Sequence, residues 1–237
     1  MVNFKDIKYE RVSYESAESK IKELINKLND SNDFEEYLNL CKEIIKFQNY
    51  IEEMYEYADV RNMRDSEDPY YKEEITYWNE YKPKFDLLFI PFYELIIKSK
   101  FKEELSKYMP VNFFNTIEYR LKTNSLEVVD LKQRENELKS RYREIVRSKI
   151  LFNGEMVSLS YLTSFFTNSN RSVRKNAHDT LNDFYLSKEK ELDDLFYELI
   201  MVRKKISKEL GFDNYSLYSL CELRRFGYDY KFIKQII

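Results

Sequence analysis

The chain has 237 residues but only three Gly and four Pro, where average usage would place about 28 of the two together. So few chain-turning residues exclude a sandwich or barrel of many short strands, and a Pro/Gly-rich disordered chain as well. Charged residues make 34% and hydrophobic residues 43%, the composition of amphipathic helices, and the net charge of −3 is a poor field for displacing counterions from a nucleic acid, which is not an expected partner.

After an extended arm over residues 1–13, Ile21, Leu24, Ile25 and Leu28 recur at one helical face, which predicts a helix from Tyr14 to about Asn29. Asp33 with Glu36 three residues on is a capping-box-like start. The row Phe34, Leu38, Cys41, Ile45, Gln48, Ile51, Tyr55 and Ala58 then carries a long helix to about Met63. Asp68-Pro69 starts the next, with Pro at the first helical position. Pro83 and Pro91 are expected to kink or split it, since each removes a backbone donor. Short helices are expected near 100–108 and 111–122. Another runs from Ser125 to about Arg147, with Leu131, Leu138, Tyr142 and Ile145 on one side.

The pattern changes at Ser148. Asn153-Gly154 is flanked by apolar residues, and Asn-Gly favours the positive φ angles of a two-residue turn. This predicts one β-hairpin, with strands near 148–152 and 155–159, in an otherwise all-α protein. A helical turn at 162–166, helices over 171–185 and 188–210, a stop at Gly211, a helix over 215–222 and a loop over 223–228 complete the pass. The helix from 229 carries Ile233, Ile236 and Ile237 as half of an unfinished dry face, a pattern expected of a chain that has been cut.

Catalytic machinery is hard to assemble from these residues. There is one histidine, His178, and the two cysteines, Cys41 and Cys221, are far apart and expected to be reduced thiols. A catalytic zinc site wants about three clustered His or carboxylate ligands. The three glycines stand apart, so no phosphate-binding loop is present. No stretch approaches the ~20 apolar residues of a membrane span, and the amino end has no apolar signal region. The expected location is therefore cytoplasmic, with no membrane partner.

Several segments together resemble one family. Phe152-Asn-Gly-Glu155 is followed by Ser169-Asn-Arg171-Ser-Val173-Arg174-Lys175-Asn-Ala177, and then by Leu192-Asp193, Tyr197-Glu198-Leu199-Ile200, Val202-Arg203, Ile206 and Lys208-Glu-Leu-Gly211-Phe-Asp-Asn-Tyr215. This order is similar to the oligoendopeptidase F family of zinc metallopeptidases, where a hairpin of the type F-x-G-E precedes a helix opening D-R-x-V-R-K-x-A. Phe4, Asp6, Ile7, Tyr9, Glu10 and Arg11 fit the start of that family. Asn170 departs from its usual Asp, and Leu223-Arg224-Arg225-Phe226 stands in a segment that often carries Met and Arg.

The resemblance implies the amino-terminal portion of a two-lobed, largely helical oligopeptidase. Residues 1–122 would form the N-terminal helical lobe, and residues 123–237 a helical segment with the hairpin that begins the catalytic domain and stops before the zinc motif. The family's H-E-x-x-H motif has no counterpart here, so no catalytic or metal-binding residue carries over. Zinc is expected in the full-length protein and not in this chain. Short peptides are the implied substrates, and the missing C-terminal half is the implied partner. Self-association through uncovered apolar surface is expected as well.

The candidate channel residues are Phe152, Asn153 and Gly154 at the hairpin and Arg224, Arg225 and Tyr228 after the last complete helix. Each has a plainer alternative: Phe152 as core, the hairpin as a structural clip, the two arginines as solvated charge. The tyrosine-rich stretches read as core rings with wet hydroxyls, and Arg171 and Arg174 as solvated or carboxylate-paired. A rival from another class is a complete, non-catalytic helical module that binds peptides or a partner helix.

Overall fold

The computed structural model describes residues 7–236, the side chains of Tyr230 and Ile236 excepted. Phe4 and Asp6, and the isoleucine face expected at Ile236 and Ile237, lie outside the described residues. Among those described the chain is all-α apart from one two-stranded antiparallel sheet. It divides into two compact units. One combines the described residues up to Gln133 with those from Lys204 onward, and the other is Arg134–Arg203.

In the first unit, α1 spans Tyr14–Asp30, capped by the Ser13 hydroxyl, which accepts from the Ser16 amide at 3.3 Å. Helix α2 (Phe34–Arg64) begins where the Asp33 carboxylate accepts from the Glu36 amide at 2.9 Å. The other half of the capping box is absent, because the Glu36 carboxylate accepts from the Ser31 hydroxyl instead. The buried row of α2 is Tyr37, Leu38, Cys41, Ile44, Gln48, Ile51, Met54, Tyr57 and Ala58, rotated slightly from the row read in the sequence. Burial pushes the Cys41 thiol up to about 12, so it stays a neutral core side chain.

Helix α3 (Pro69–Leu88) opens at Asp68 with Pro69 in its first turn, as expected. It continues through Pro83. Trp78, Pro83 and Phe85 are all buried, and that packing outweighs one lost backbone donor. The break comes at Phe89, with Pro91 in the first turn of α4 (Ile90–Lys98), where a missing N–H costs nothing. Two shorter helices follow, α5 (Lys102–Leu105) and α6 (Phe113–Thr123). After a 3-10 turn at Leu126–Val128, α7 (Val129–Arg147) leads into the second unit.

Two charged clusters tie this unit together. Glu74, 2% exposed, accepts from Arg11 at 2.6 Å and from the Tyr9 hydroxyl, while the Trp78 indole donates to Tyr9 at 3.0 Å. The arm before α1 is thereby fastened to α3. In the second cluster, Lys82 pairs with Asp86 at 2.7 Å and Glu52 at 3.3 Å. Burial alone would push the Lys82 ammonium down, but the two carboxylates outweigh it and hold it above its ordinary value. The tyrosine-rich stretches serve this packing: Tyr9 stacks on Tyr57 at 6.0 Å, and Tyr77 on Tyr81 at 4.6 Å.

In the second unit the hairpin strands are β1 (Ile150–Phe152) and β2 (Glu155–Val157). They are followed by α8 (Leu159–Thr163), a 3-10 turn (Ser164–Thr167) and α9 (Arg171–Glu209). The two helices expected over 171–185 and 188–210 are one helix of 39 residues. No Gly or Pro interrupts it, and the Ser187 hydroxyl donates back to the Phe184 carbonyl at 2.6 Å rather than capping a new start. The last helices, α10 (Tyr215–Glu222) and α11 (Tyr230–Ile236), belong to the first unit, where α10 packs against α6. This unit is therefore built from two separate stretches of chain.

Helices α9 and α10 end in the same way. After α9, Phe212 N–H donates to the Ser207 carbonyl at 2.8 Å and Gly211 N–H to Lys208 at 3.0 Å, with Gly211 at φ +74°. After α10, Arg225 N–H donates to Leu220 and Arg224 N–H to Cys221, both at 2.9 Å, with Arg224 at φ +52°. Both are Schellman motifs, which favour Gly at the left-handed position. Substituting Gly211→Ala is expected to lower stability by about 1 kcal/mol, and Arg224→Gly to raise it by about the same amount. Thermal unfolding should show opposite shifts of roughly 2–4 °C.

Candidate functional site

The hairpin is set by its turn. Asn153 and Gly154 have φ of +52° and +87°, the two positive angles of a type I′ turn. A Cβ at Gly154 would meet nothing within 4 Å, so the demand for glycine there comes from the backbone and not from crowding. The turn fixes the register as Phe152 opposite Glu155, Leu151 opposite Met156 and Ile150 opposite Val157.

The two faces of the hairpin differ. Ile150, Phe152 and Val157 are buried. The Phe152 ring, 3% exposed, lies 5.1 Å from Phe165, which meets Tyr161 at 5.3 Å. At the tip, the Asn176 side-chain amide donates to the side-chain Oδ1 of Asn153 at 3.1 Å, joining the turn to α9. Leu151 and Met156 point the other way, 64% and 60% exposed. In a two-residue hairpin, Phe152 and Glu155 form the hydrogen-bonded closing pair, so the backbone groups of Leu151 and Met156 face away from the partner strand. Among the described residues the sheet has two strands, so each outer edge presents an N–H and a C=O without a third strand.

Helices α7 and α9 flank this hairpin in sequence and run antiparallel within the unit. Arg134 meets Glu198 at 2.7 Å, and seven residues further along each helix Arg141 meets Glu191. Leu138 and Ile145 on α7 and Phe184, Leu195 and Val202 on α9 are buried. Beside them lies Glu135, 4% exposed, with Arg203 at 2.9 Å and Lys139 at 3.1 Å. Burial pushes its carboxyl up, but the two cations outweigh it and hold it below the ordinary carboxylate value. Tyr142, expected on the dry side of α7, is 49% exposed.

The six candidate residues fall into two groups. Phe152, Asn153 and Gly154 come together in the hairpin: Phe152 supports it from the core, and Asn153 and Gly154 are exposed at its tip. Arg224, Arg225 and Tyr228 lie in the loop between α10 and α11, in the other unit. Arg224 and Arg225 are exposed, and Tyr228 has its ring 6.1 Å from Phe232. The loop is anchored by Phe226 against Tyr119 at 4.9 Å. Sequence reasoning missed the outward pair Leu151 and Met156, although the alternation Ile-Leu-Phe carried the signal. It also misassigned Arg174, which donates to the carbonyls of Asn168 at 2.6 Å and Ser169 at 3.0 Å and so closes the loop before α9.

A zinc centre does not fit these residues. Among those described, no group of three or more His, Cys, Asp or Glu is placed to hold a metal ion. The imidazole of His178 stacks on Phe166 at 3.8 Å. Nor is any described helix long and apolar enough to cross a membrane.

Residues 4–124 match the peptidase M3 N-terminal domain. Three solved structures superpose on nearly all of the chain, each with a TM-score of 0.93. A Bacillus anthracis (strain Ames) protein assigned as an oligoendopeptidase F is 33% identical and is covered over 43% of its length by 98% of this chain. PZ peptidase A, solved with an inhibitor, is 28% identical over 98% of this chain and 42% of its own. Another protein assigned as an oligoendopeptidase F is 28% identical over 99% of this chain and 42% of its own. The chain thus spans less than half the length of the structures it matches. No curated protein gives a significant match.

Two outcomes are expected. Phe152→Ala should cost about 3–5 kcal/mol, as for a buried aromatic ring, read by denaturant unfolding. For Glu135 the sign follows from its lowered carboxyl: its contribution is present above the ordinary value of 4.5 and is lost as pH falls through the lower, folded value. Glu135→Gln should therefore be less stable than the parent at neutral pH, and the gap should close on acidification below about pH 4.5. Chemical denaturation across pH 3–7 (approximate limits) reads this.

Proposed function

We propose, from the premise that this chain belongs to the peptidase M3 family, that it serves as the substrate-framing, non-catalytic portion of an oligoendopeptidase F-like enzyme acting on short peptides. The observation that carries this reading is the coverage: 98% of the chain superposes at a TM-score of 0.93 on 43% of an oligoendopeptidase F-like structure. Peptide hydrolysis by zinc needs a polarised carbonyl and an activated water. The side chains described here supply no ligand set for the metal, so that chemistry belongs to the remainder of such an enzyme.

The role left to this chain is to hold an extended peptide and limit its size. The outer edge of the hairpin is suited to that. A peptide strand added there would exchange hydrogen bonds with Leu151 or Met156, gaining affinity from main-chain groups common to any sequence. The exposed side chain on that edge, Leu151 or Met156, would pack beside a guest side chain turned to the same face. Arg224 and Arg225 are candidates for a peptide carboxylate, which a guanidinium binds with paired hydrogen bonds.

The test is an assay of this chain with quenched fluorescent peptides and added zinc. No turnover is expected, whereas sustained cleavage blocked by a chelator would overturn the non-catalytic assignment. In parallel, a labelled unstructured pentapeptide should raise its anisotropy on binding. The same peptide with N-methylated amides should bind about tenfold more weakly, because it cannot pair as a strand. Equal binding of both peptides would show that the hairpin edge does not pair with the guest backbone.

A further inference from the structure

The outer face of α9 carries a pattern that the peptidase reading leaves unused. The core side of this helix is marked by Phe184, Leu195, Val202 and Ile206, all buried. On the opposite side, at helical spacing, run Glu189 and Asp193, then Phe196, Tyr197, Ile200 and Met201, then Lys204 and Lys208. Phe196 and Tyr197 are 60% and 66% exposed, and Met201 38%. The four charged residues are exposed as well. Two aromatic rings and a methionine uncovered on one short stretch of helix are more than the scattered apolar residues of an ordinary surface.

The order of charges decides what fits. About the midpoint between Glu198 and Leu199 the stripe is self-complementary. Glu189 is as far on one side as Lys208 on the other, Asp193 as far as Lys204, Phe196 as far as Met201, and Tyr197 as far as Ile200. A two-fold axis through that midpoint would lay α9 antiparallel on its own copy. Each acidic end would then meet a basic end, with the apolar residues facing one another. An isologous contact requires this kind of matching, because the same patch serves both partners. A parallel arrangement would place like charges together at both ends, which is unfavourable.

We infer that this face of α9 is a homodimer contact, formed by antiparallel pairing of two copies through Phe196, Tyr197, Ile200 and Met201 and put in register by Asp193 with Lys204. Four apolar side chains per copy are fewer than the ~800 Å² per partner of a standard interface require, so the dimer is weak and concentration-dependent. It is independent of the zinc chemistry and of the hairpin edge.

Charge reversal tests both partner and register. Sedimentation velocity over rising concentration should show a monomer–dimer equilibrium for the parent chain. Asp193→Lys or Lys204→Asp alone should each weaken it by about tenfold or more, because the symmetry places two repulsive pairs in every dimer. An equimolar mixture of the two variants should associate again, since both pairs become attractive in the heterodimer. Phe196→Ser should weaken dimerisation without this rescue, and circular dichroism should show all the variants folded. A chain that stays monomeric throughout overturns the inference and leaves the face to another occupant, such as the additional polypeptide its longer relatives possess. A dimer indifferent to either reversal, or a mixture no stronger than its components, overturns the register.

Discussion

A hairpin with three residues in each strand cannot hold itself together in water, so the candidate site depends on what covers its inner face. That cover is aromatic: Phe152 packs on Phe165, and Phe165 on Tyr161. The covering residues come from the segment between β2 and α9, which the carbonyl-bound Arg174 closes at its far end. One strand face is therefore committed to the core, while the other, with Leu151 and Met156, is turned outward together with its free edge. The type I′ turn makes this division sharp, because slipping the register by one residue would exchange the two faces.

In the same unit, the pairing of α7 with α9 combines an apolar seam with a buried carboxylate. Removing one member of such a group is costly because it leaves an unmatched ion in a dry place. Glu135 avoids that by having two cations, one four residues along its own helix and one on α9. The first unit uses the same device twice, with Glu74 between Arg11 and Tyr9 and with Lys82 between Glu52 and Asp86. In each case at least one partner comes from an element distant in sequence, so these clusters fix which elements meet rather than merely stabilising a helix.

The parts legible in the sequence are those governed by local chemistry. Asn153-Gly154 specified the hairpin because few other dipeptides accept two positive φ angles. Asp33, Asp68 and Gly211 marked helix ends through hydrogen bonds made within four or five residues. What was hidden depends on distant partners. The buried row of α7 includes Lys132 and Glu135, charged residues that no apolar periodicity marks, while Tyr142, expected on the dry side, is exposed. Nothing within the α7 sequence announces that Arg203 will arrive to match Glu135. Pro83 does not split α3 for the same reason, since tertiary packing carries the helix through a residue that would stop it in isolation. At the site, the turn was visible and the Ile-Leu-Phe alternation already set Leu151 on the other face from Phe152, but pairing Leu151 with Met156 on one exposed face took the register and the burial together.

A substrate-framing role for this chain requires that the free edge of the hairpin receive a peptide backbone. Amide hydrogen exchange, followed residue by residue with and without an excess of an unstructured peptide, addresses it directly. The outward amides of Leu151 or Met156 should exchange freely in the unbound chain and become protected when the peptide is present, while the inward amide of Phe152 changes little. Protection that appears elsewhere and leaves both outward amides exchanging as before would contradict it.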